Sequence, residues 1–171
     1  MNIIKYEKIP AQFNPWSTDY ANVADFLVSN IGTERLSVIH IGSTSFQVGG
    51  KGIIDLSVLY DGSDLQMAVD HLHKLGFQDQ VSDTPFPPHR PRKDGAIWFA
   101  GKKYYIHVHV IKKGSEEHIK QMAYKEYMLE HKKARLKYEE SKKKIIKNGV
   151  IEQEAYGKEK SPFVKEILNN I

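Results

Sequence analysis

Two histidines at alternate positions and one acid inside an apolar run are the residues whose types and spacing could do chemistry. The histidines are His107 and His109, in Tyr105-Ile-His-Val-His-Val-Ile111; the acid is Asp55, in Gly52-Ile-Ile-Asp-Leu-Ser-Val-Leu59. Side chains alternate across a strand, so the two imidazoles share one face and can be aimed at one metal or one phosphate. Taken singly, each also fits a hydrogen-bonded structural role or a solvent-facing one. Nothing in core packing calls for a carboxylate at position 55, and a buried charge without a partner is costly. Asp55 therefore needs a cation, a metal or the mouth of a cleft.

Three further segments could contribute binding groups. Gly42-Ser43-Thr44-Ser45 combines a glycine with hydroxyls and backbone N–H groups; such a segment forms an anion site where it opens a helix or turn. It is equally ordinary turn chemistry. The Gly-x-x-x-x-Gly-Lys-Ser/Thr phosphate loop and the Gly-x-Ser-x-Gly elbow of serine hydrolases are both absent. Arg90 and Arg92 could clamp a phosphate or carboxylate bidentately or form a solvated basic loop. Lys51 stands just before the acidic run, where it could contact phosphate or neutralise Asp55.

The elements that must position these groups follow from periodicity. Tyr20, Val23, Phe26 and Leu27 predict a helix over 18–30, with Gly32 as its cap. Leu36–Ile41 and Gly52–Tyr60 read as strands, the second mostly buried. Ser63 caps a helix running to Leu75, with Leu65, Val69, Leu72 and Leu75 inward and Gly76 as its stop. Residues 82–95, with four prolines and three basic residues, read as a semi-rigid loop. Ala96–Ala100 and Tyr104–Ile111 read as strands joined through Gly101-Lys102-Lys103. Residues 115–147 are helical with a break near 132 and an inward stripe of Tyr124, Tyr127, Met128, His131 and Leu136. A last helix spans Gln153–Leu168, bent near Pro162. Trp16 and Trp98 read as packing residues. The order predicts an α+β fold, a mixed sheet backed by helices, with a helical C-terminal part from about 115 to 171.

Composition narrows the class. The 171 residues fit one domain, 40% hydrophobic and 27% charged, and cysteine is absent, which excludes disulfides and thiol catalysis. No apolar run is long enough for a membrane span, and no leader-like segment opens the chain, so a cytoplasmic protein with no membrane partner is expected. The net charge of +4 has one source. Residues 112–147 hold 12 Lys/Arg against 6 Asp/Glu, whereas residues 1–111 hold 10 against 11 and residues 148–171 hold 3 against 4. Lys142-Lys-Lys144 lacks interleaved aromatic platforms, so the basic stretch reads as a solvated helix face rather than a nucleic-acid interface.

His40-Ile-Gly-Ser-Thr-Ser45, Lys51-Gly-Ile-Ile-Asp-Leu56 and His107-Val-His-Val110, in this order, resemble the GrpB family. Tyr124-Lys-Glu-Tyr127 and Tyr156-Gly-Lys158 extend the likeness over nearly the whole chain, as a single domain over 1–171. The resemblance implies the nucleotidyltransferase-like fold shared with polymerase beta and the antibiotic nucleotidyltransferases. There a Gly-Ser pair binds the triphosphate, and two acids at Asp-x-Asp spacing plus a third on a later strand hold divalent metal. Gly42 and Ser43 match the Gly-Ser pair, and Asp55 matches the first acid. Ser57 stands at the second acid position, and His107 and His109 stand where the third acid is expected.

The implied site is therefore Asp55, His107 and His109 as catalytic and metal-ligating residues, with Gly42, Ser43, Lys51, Arg90 and Arg92 binding a nucleoside triphosphate. The implied divalent metal is magnesium or manganese; one Asp with two His suits manganese, zinc or iron better than magnesium. Two main functions follow. One is metal-dependent nucleotidyl transfer to a small-molecule or protein acceptor; the other is a nucleotide- or phosphate-binding module without chemistry, favoured by Ser57. A metal-dependent hydrolase or isomerase built on the same three residues is a further class. The small-molecule partner is a nucleotide, while its identity and the oligomeric state are not encoded in any motif.

Overall fold

The structure, a computed structural model, describes residues 1–171. Five strands, β1 (Ser37–Ile41), β2 (Ile53–Tyr60), β3 (Gln78–Asp79), β4 (Arg92–Phe99) and β5 (Lys102–Lys112), form one sheet in the spatial order β1-β2-β5-β4-β3. Only the central β2–β5 pair is parallel; the other three pairings are antiparallel. The α+β expectation is met.

Alternation along β2 and β5 divides the molecule into two layers. Ile54, Leu56, Val58, Ile106, Val108 and Val110 point to one side. There they pack under helices α1 (Thr18–Ile31) and α3 (Leu65–Leu75), which present Val23, Leu27 and Ile31, and Ala68 and Leu72. This is the main core, and its strands are branched aliphatics that fit a pleated, covered surface. Gly76 ends α3 in the left-handed region at φ 104°, as the sequence predicts.

Helices α4 (Glu116–Glu130), α5 (Lys132–Lys147) and α6 (Gln153–Leu168) lie on the other side of the sheet. They have their own apolar contacts: Phe46 and Val48 pack on Met128, Tyr138 and Phe163, and Ala11 packs on Ile145 and Tyr156. A four-residue helix, α2 (Gly42–Ser45), follows β1. No helix is long and apolar enough to cross a membrane.

Several expectations are corrected. Strand β4 begins at Arg92, not Ala96, because residues 92–95 already pair with β5 once Pro91 is passed. The hairpin turn is Ala100-Gly101, at φ 47° and 79°, the two-residue geometry that matches strand twist; Lys102 and Lys103 belong to β5. Trp98 is 62% exposed, two residues from that turn, and is not a packing residue. Trp16 does pack, and its indole N–H donates to the Thr44 carbonyl at 2.9 Å. The helical break falls at His131, and α5 then turns Tyr138, Lys142 and Ile145 inward, leaving Leu136 exposed. The inward stripe of the sequence reading therefore ends with Met128.

Candidate functional site

The register of the parallel pair brings the chemistry together. Asp55 lies opposite His107, and Ser57 opposite His109. The Asp55 Oδ1 atom is 3.4 Å from His107 Nδ1 and 3.8 Å from His109 Nε2. Burial by itself would raise the Asp55 carboxyl, but the two imidazoles beside it hold it well below the usual carboxylate range. Burial pushes His107 down, against the pull of Asp55. Its Nε2 lies 3.2 Å from the Tyr6 hydroxyl, which in turn reaches Gln153 Oε1 at 3.1 Å.

Next across the sheet comes an acid from residues 82–95, a segment the prolines mark as a loop but whose end is strand. Asp94 of β4 lies opposite His107, and Arg92 lies opposite His109. The fully buried Asp94 carboxylate accepts two hydrogen bonds from Arg92, from Nε at 2.7 Å and from a terminal nitrogen at 2.9 Å. That bidentate pairing commits the guanidinium to a protein partner.

Asp55, His107, His109 and Arg92 form the floor of a cavity of about 430 Å³. Lys51 stands at its edge, and Gln80, Ser82, Thr84 and Phe86 make one wall. The opposite wall is α6, which contributes Gln153, Glu154, Gly157, Lys158, Lys160 and Ser161. Positions 153, 157, 160 and 161 follow helical spacing, so one face of α6 looks at the floor. Lys8 of the N-terminal segment is also in the lining and pairs with Glu154 at 3.5 Å.

Of the residues expected from sequence, Asp55, His107, His109, Lys51 and Arg92 meet in this cavity, while Gly42, Ser43 and Arg90 do not line it. Arg90 faces Glu117 at 3.7 Å and lies over the Phe86 ring. Gly42 sits behind the acid. At φ 70°, it approaches so closely that a Cβ there would fall 2.6 Å from Asp55 Oδ2. Its role here is to let β1 and β2 close around the carboxylate.

Lysines from the helical half are the groups that sequence reasoning missed. Lys142, read as part of a solvated face, is only 2% exposed. Its ammonium donates to the Gly49 carbonyl at 3.0 Å and lies 4.2 Å above the Tyr138 ring centre. Burial, together with the nearby Lys160, pushes Lys142 well below the ordinary lysine range. The same two causes, burial first, bring Lys51 down to about 8. Lys51 and Lys160 both stand over the Tyr156 ring, at 5.2 and 6.0 Å.

A two-metal centre does not fit these side chains. The second acid position is Ser57, fully buried, and its hydroxyl donates to Gln121 Oε1 at 2.6 Å. Asp94 is held by Arg92. Asp55 and the two histidines meet, but no three His, Asp or Glu side chains are arranged as a set that would hold a metal ion.

Comparison with known proteins agrees with the architecture. The sequence matches the GrpB family, described as GrpB protein, over residues 8–170. A UPF0157 protein of Halalkalibacterium halodurans is 28% identical over 160 residues, covering 92% of this chain and 78% of that one. Among solved structures, Cid1, described with RNA terminal uridylyl transferase activity, superposes with a TM-score of 0.50 at 13% identity. The match covers 74% of this chain and 38% of Cid1, so the chain spans well under half of that protein's length. Polymerase beta of Leishmania infantum gives a TM-score of 0.39 at 14% identity, covering 69% of this chain and 53% of that one. The fold is nucleotidyltransferase-like.

Proposed function

The chain belongs to the GrpB family, and from that premise we propose that it binds a phosphorylated ligand of the nucleoside triphosphate class in the cavity between the sheet and α6, without two-metal chemistry. The single observation that carries this reading is the charge of the cavity. Five cations, Lys8, Lys51, Arg92, Lys158 and Lys160, line it; Arg92 is held by Asp94 and Lys8 by Glu154, which leaves three lysines against Asp55. Such a concentration of positive charge in a concave, partly desolvated site attracts anions strongly. Cid1, which shares the fold, is described as a uridylyl transferase, and a nucleotide is the ligand class this cavity suits. The phosphates face Lys51 and the α6 lysines, and the Gln80, Ser82, Thr84 and Phe86 wall offers hydrogen-bonding groups and an aromatic surface for the remainder.

Ser57 distinguishes this reading from nucleotidyl transfer. Transfer by this fold places charge-neutralising metal on carboxylates, and here one of them is a serine sealed against Gln121. The test is calorimetric titration of the protein with the four common nucleoside triphosphates, alongside a pyrophosphate-release assay over magnesium, manganese and zinc. Binding without release is the expected result, with Asp55→Ala changing affinity only modestly. Metal-dependent pyrophosphate release abolished by Asp55→Ala would overturn it in favour of the transferase.

A further inference from the structure

The cations of the cavity divide into two groups. Arg92 and Lys8 are answered within the protein, by Asp94 and Glu154. Lys51, Lys158 and Lys160 line the same cavity and make no ion pair with any carboxylate, and Lys142 lies behind them with only a backbone carbonyl as its hydrogen-bond partner. Asp55 offsets part of this charge, but one carboxylate does not cancel three lysines. Lys51 and Lys160 are half-buried and repel one another, with Lys158 at the exposed rim, so this arrangement is complete only when an anion enters. The cations come from segments far apart in sequence, one preceding β2 and three on α5 and α6, so chance clustering along one helix face does not account for them.

The location adds a second constraint. These lysines stand beside Asp55, and Ser57 occupies the position where the family resemblance implies a second metal-binding acid. Chelated magnesium neutralises part of a triphosphate's charge and keeps a shell of water around it. Fixed ammonium groups do the same neutralisation without a carboxylate ligand, and they compete with magnesium for the same oxygens.

We propose, building on the nucleotide-binding reading, that Lys51, Lys158 and Lys160, backed by Lys142, stand in for the metal ions, so that the cavity selects the metal-free polyphosphate form of its ligand. The chemical class recognised is a chain of two or more phosphates, with the nucleoside contributing less than the phosphates.

The experiment is titration calorimetry on the full chain with ATP in EDTA, ATP in excess magnesium, ADP, AMP and inorganic tripolyphosphate. Free ATP should bind on the order of tenfold more tightly than the magnesium complex. Affinity should rise from AMP through ADP to ATP, and tripolyphosphate should compete with ATP. Lys51→Gln and Lys160→Gln should each weaken free ATP on the order of tenfold and narrow its advantage over the magnesium complex. Lys144→Gln, on the exposed side of α5, should leave both values unchanged. Thermal melting of each variant establishes that it is folded, which these substitutions should permit because they remove repulsion. Tighter binding of the magnesium complex, equal affinity for AMP and ATP, or an equal loss in Lys144→Gln would overturn the proposal while leaving nucleotide binding intact. Failure of every phosphate compound to bind would overturn both.

Discussion

The two faces of β2 and β5 solve the same problem of burial by different means. On one face, Ile54, Leu56, Val58, Ile106, Val108 and Val110 need only area and shape, and α1 and α3 supply both. On the other, the polar side chains of the strands have individual partners. Asp55 has its histidines, Ser57 has Gln121, and Asp94 has Arg92. Apolar burial is collective and tolerant, whereas polar burial is pairwise, so losing one member leaves a specific deficit. The difference also shows where the pairing stops. It stops at Lys51, Lys158 and Lys160, which is why the ligand belongs at that end of the cavity.

The strongest way to break this comparison is to remove one half of a buried pair. Asp94→Ala leaves the Arg92 guanidinium, whose side chain is 15% exposed, without the carboxylate that holds it. The expected loss is about 3–5 kcal/mol of unfolding free energy, the usual consequence of orphaning one buried ion. Urea denaturation measures it. A loss below about 1 kcal/mol would mean that water reaches Arg92 freely and the polar face is not organised by pairs.

A smaller contrast comes from two adjacent, fully buried residues on opposite faces of β2. Leu56→Ala removes aliphatic volume from the main core and should cost roughly 2–5 kcal/mol, according to how far α1 and α3 can settle into the space. Ser57→Ala removes only the hydrogen bond to Gln121, which is half-exposed and can take water instead; about 1 kcal/mol is expected. Equal costs at the two positions would erase the distinction between the faces.

How much of this was legible in the sequence depended on whether a signal was local. The alternation that puts Asp55 and Ser57 on one face of β2 and Leu56 on the other is written in consecutive residues, as is the Gly76 stop of α3. His107 and His109 could be paired with each other for the same reason. Asp94 could not be found, because the prolines at 85, 87, 88 and 91 mask a strand that starts one residue after the last of them. The lysines of α5 and α6 were hidden for a deeper reason. A lysine-rich helix reads as solvated from its own composition, and only tertiary packing turns Lys142 inward against Gly49 and Tyr138 and Lys160 into the cavity that holds Asp55. Leu136 fails in the opposite sense, since its helical spacing is sound but the break at His131 rotates it to the surface. The family likeness supplied the fold, and Ser57 at the second acid position was readable, as was Lys51; the lysines of α5 and α6 were not.

The least forceful perturbation is a change of pH acting on Lys51. Burial and Lys160 lower its ammonium from the ordinary 10.5 to about 8, so between those two values the unfolded chain holds a proton there that the folded protein has released. Stability therefore rises with pH across this window, and the penalty is fully present below about pH 8. Lys142 is lowered as well and acts in the same sense, so the contribution of Lys51 is isolated by comparison with Lys51→Met. The wild type should gain melting temperature on that variant as pH is raised from 7.5 to 9.5. Ligand affinity should move the other way, because a neutral amine no longer neutralises phosphate. Free ATP should thus bind more weakly at pH 9.5 than at 7.5 in the wild type, with a smaller change in Lys51→Met. Parallel rather than opposed trends in stability and affinity would show that Lys51 is an ordinary structural lysine, and would place it with the paired groups of the polar face instead of at the end where pairing stops.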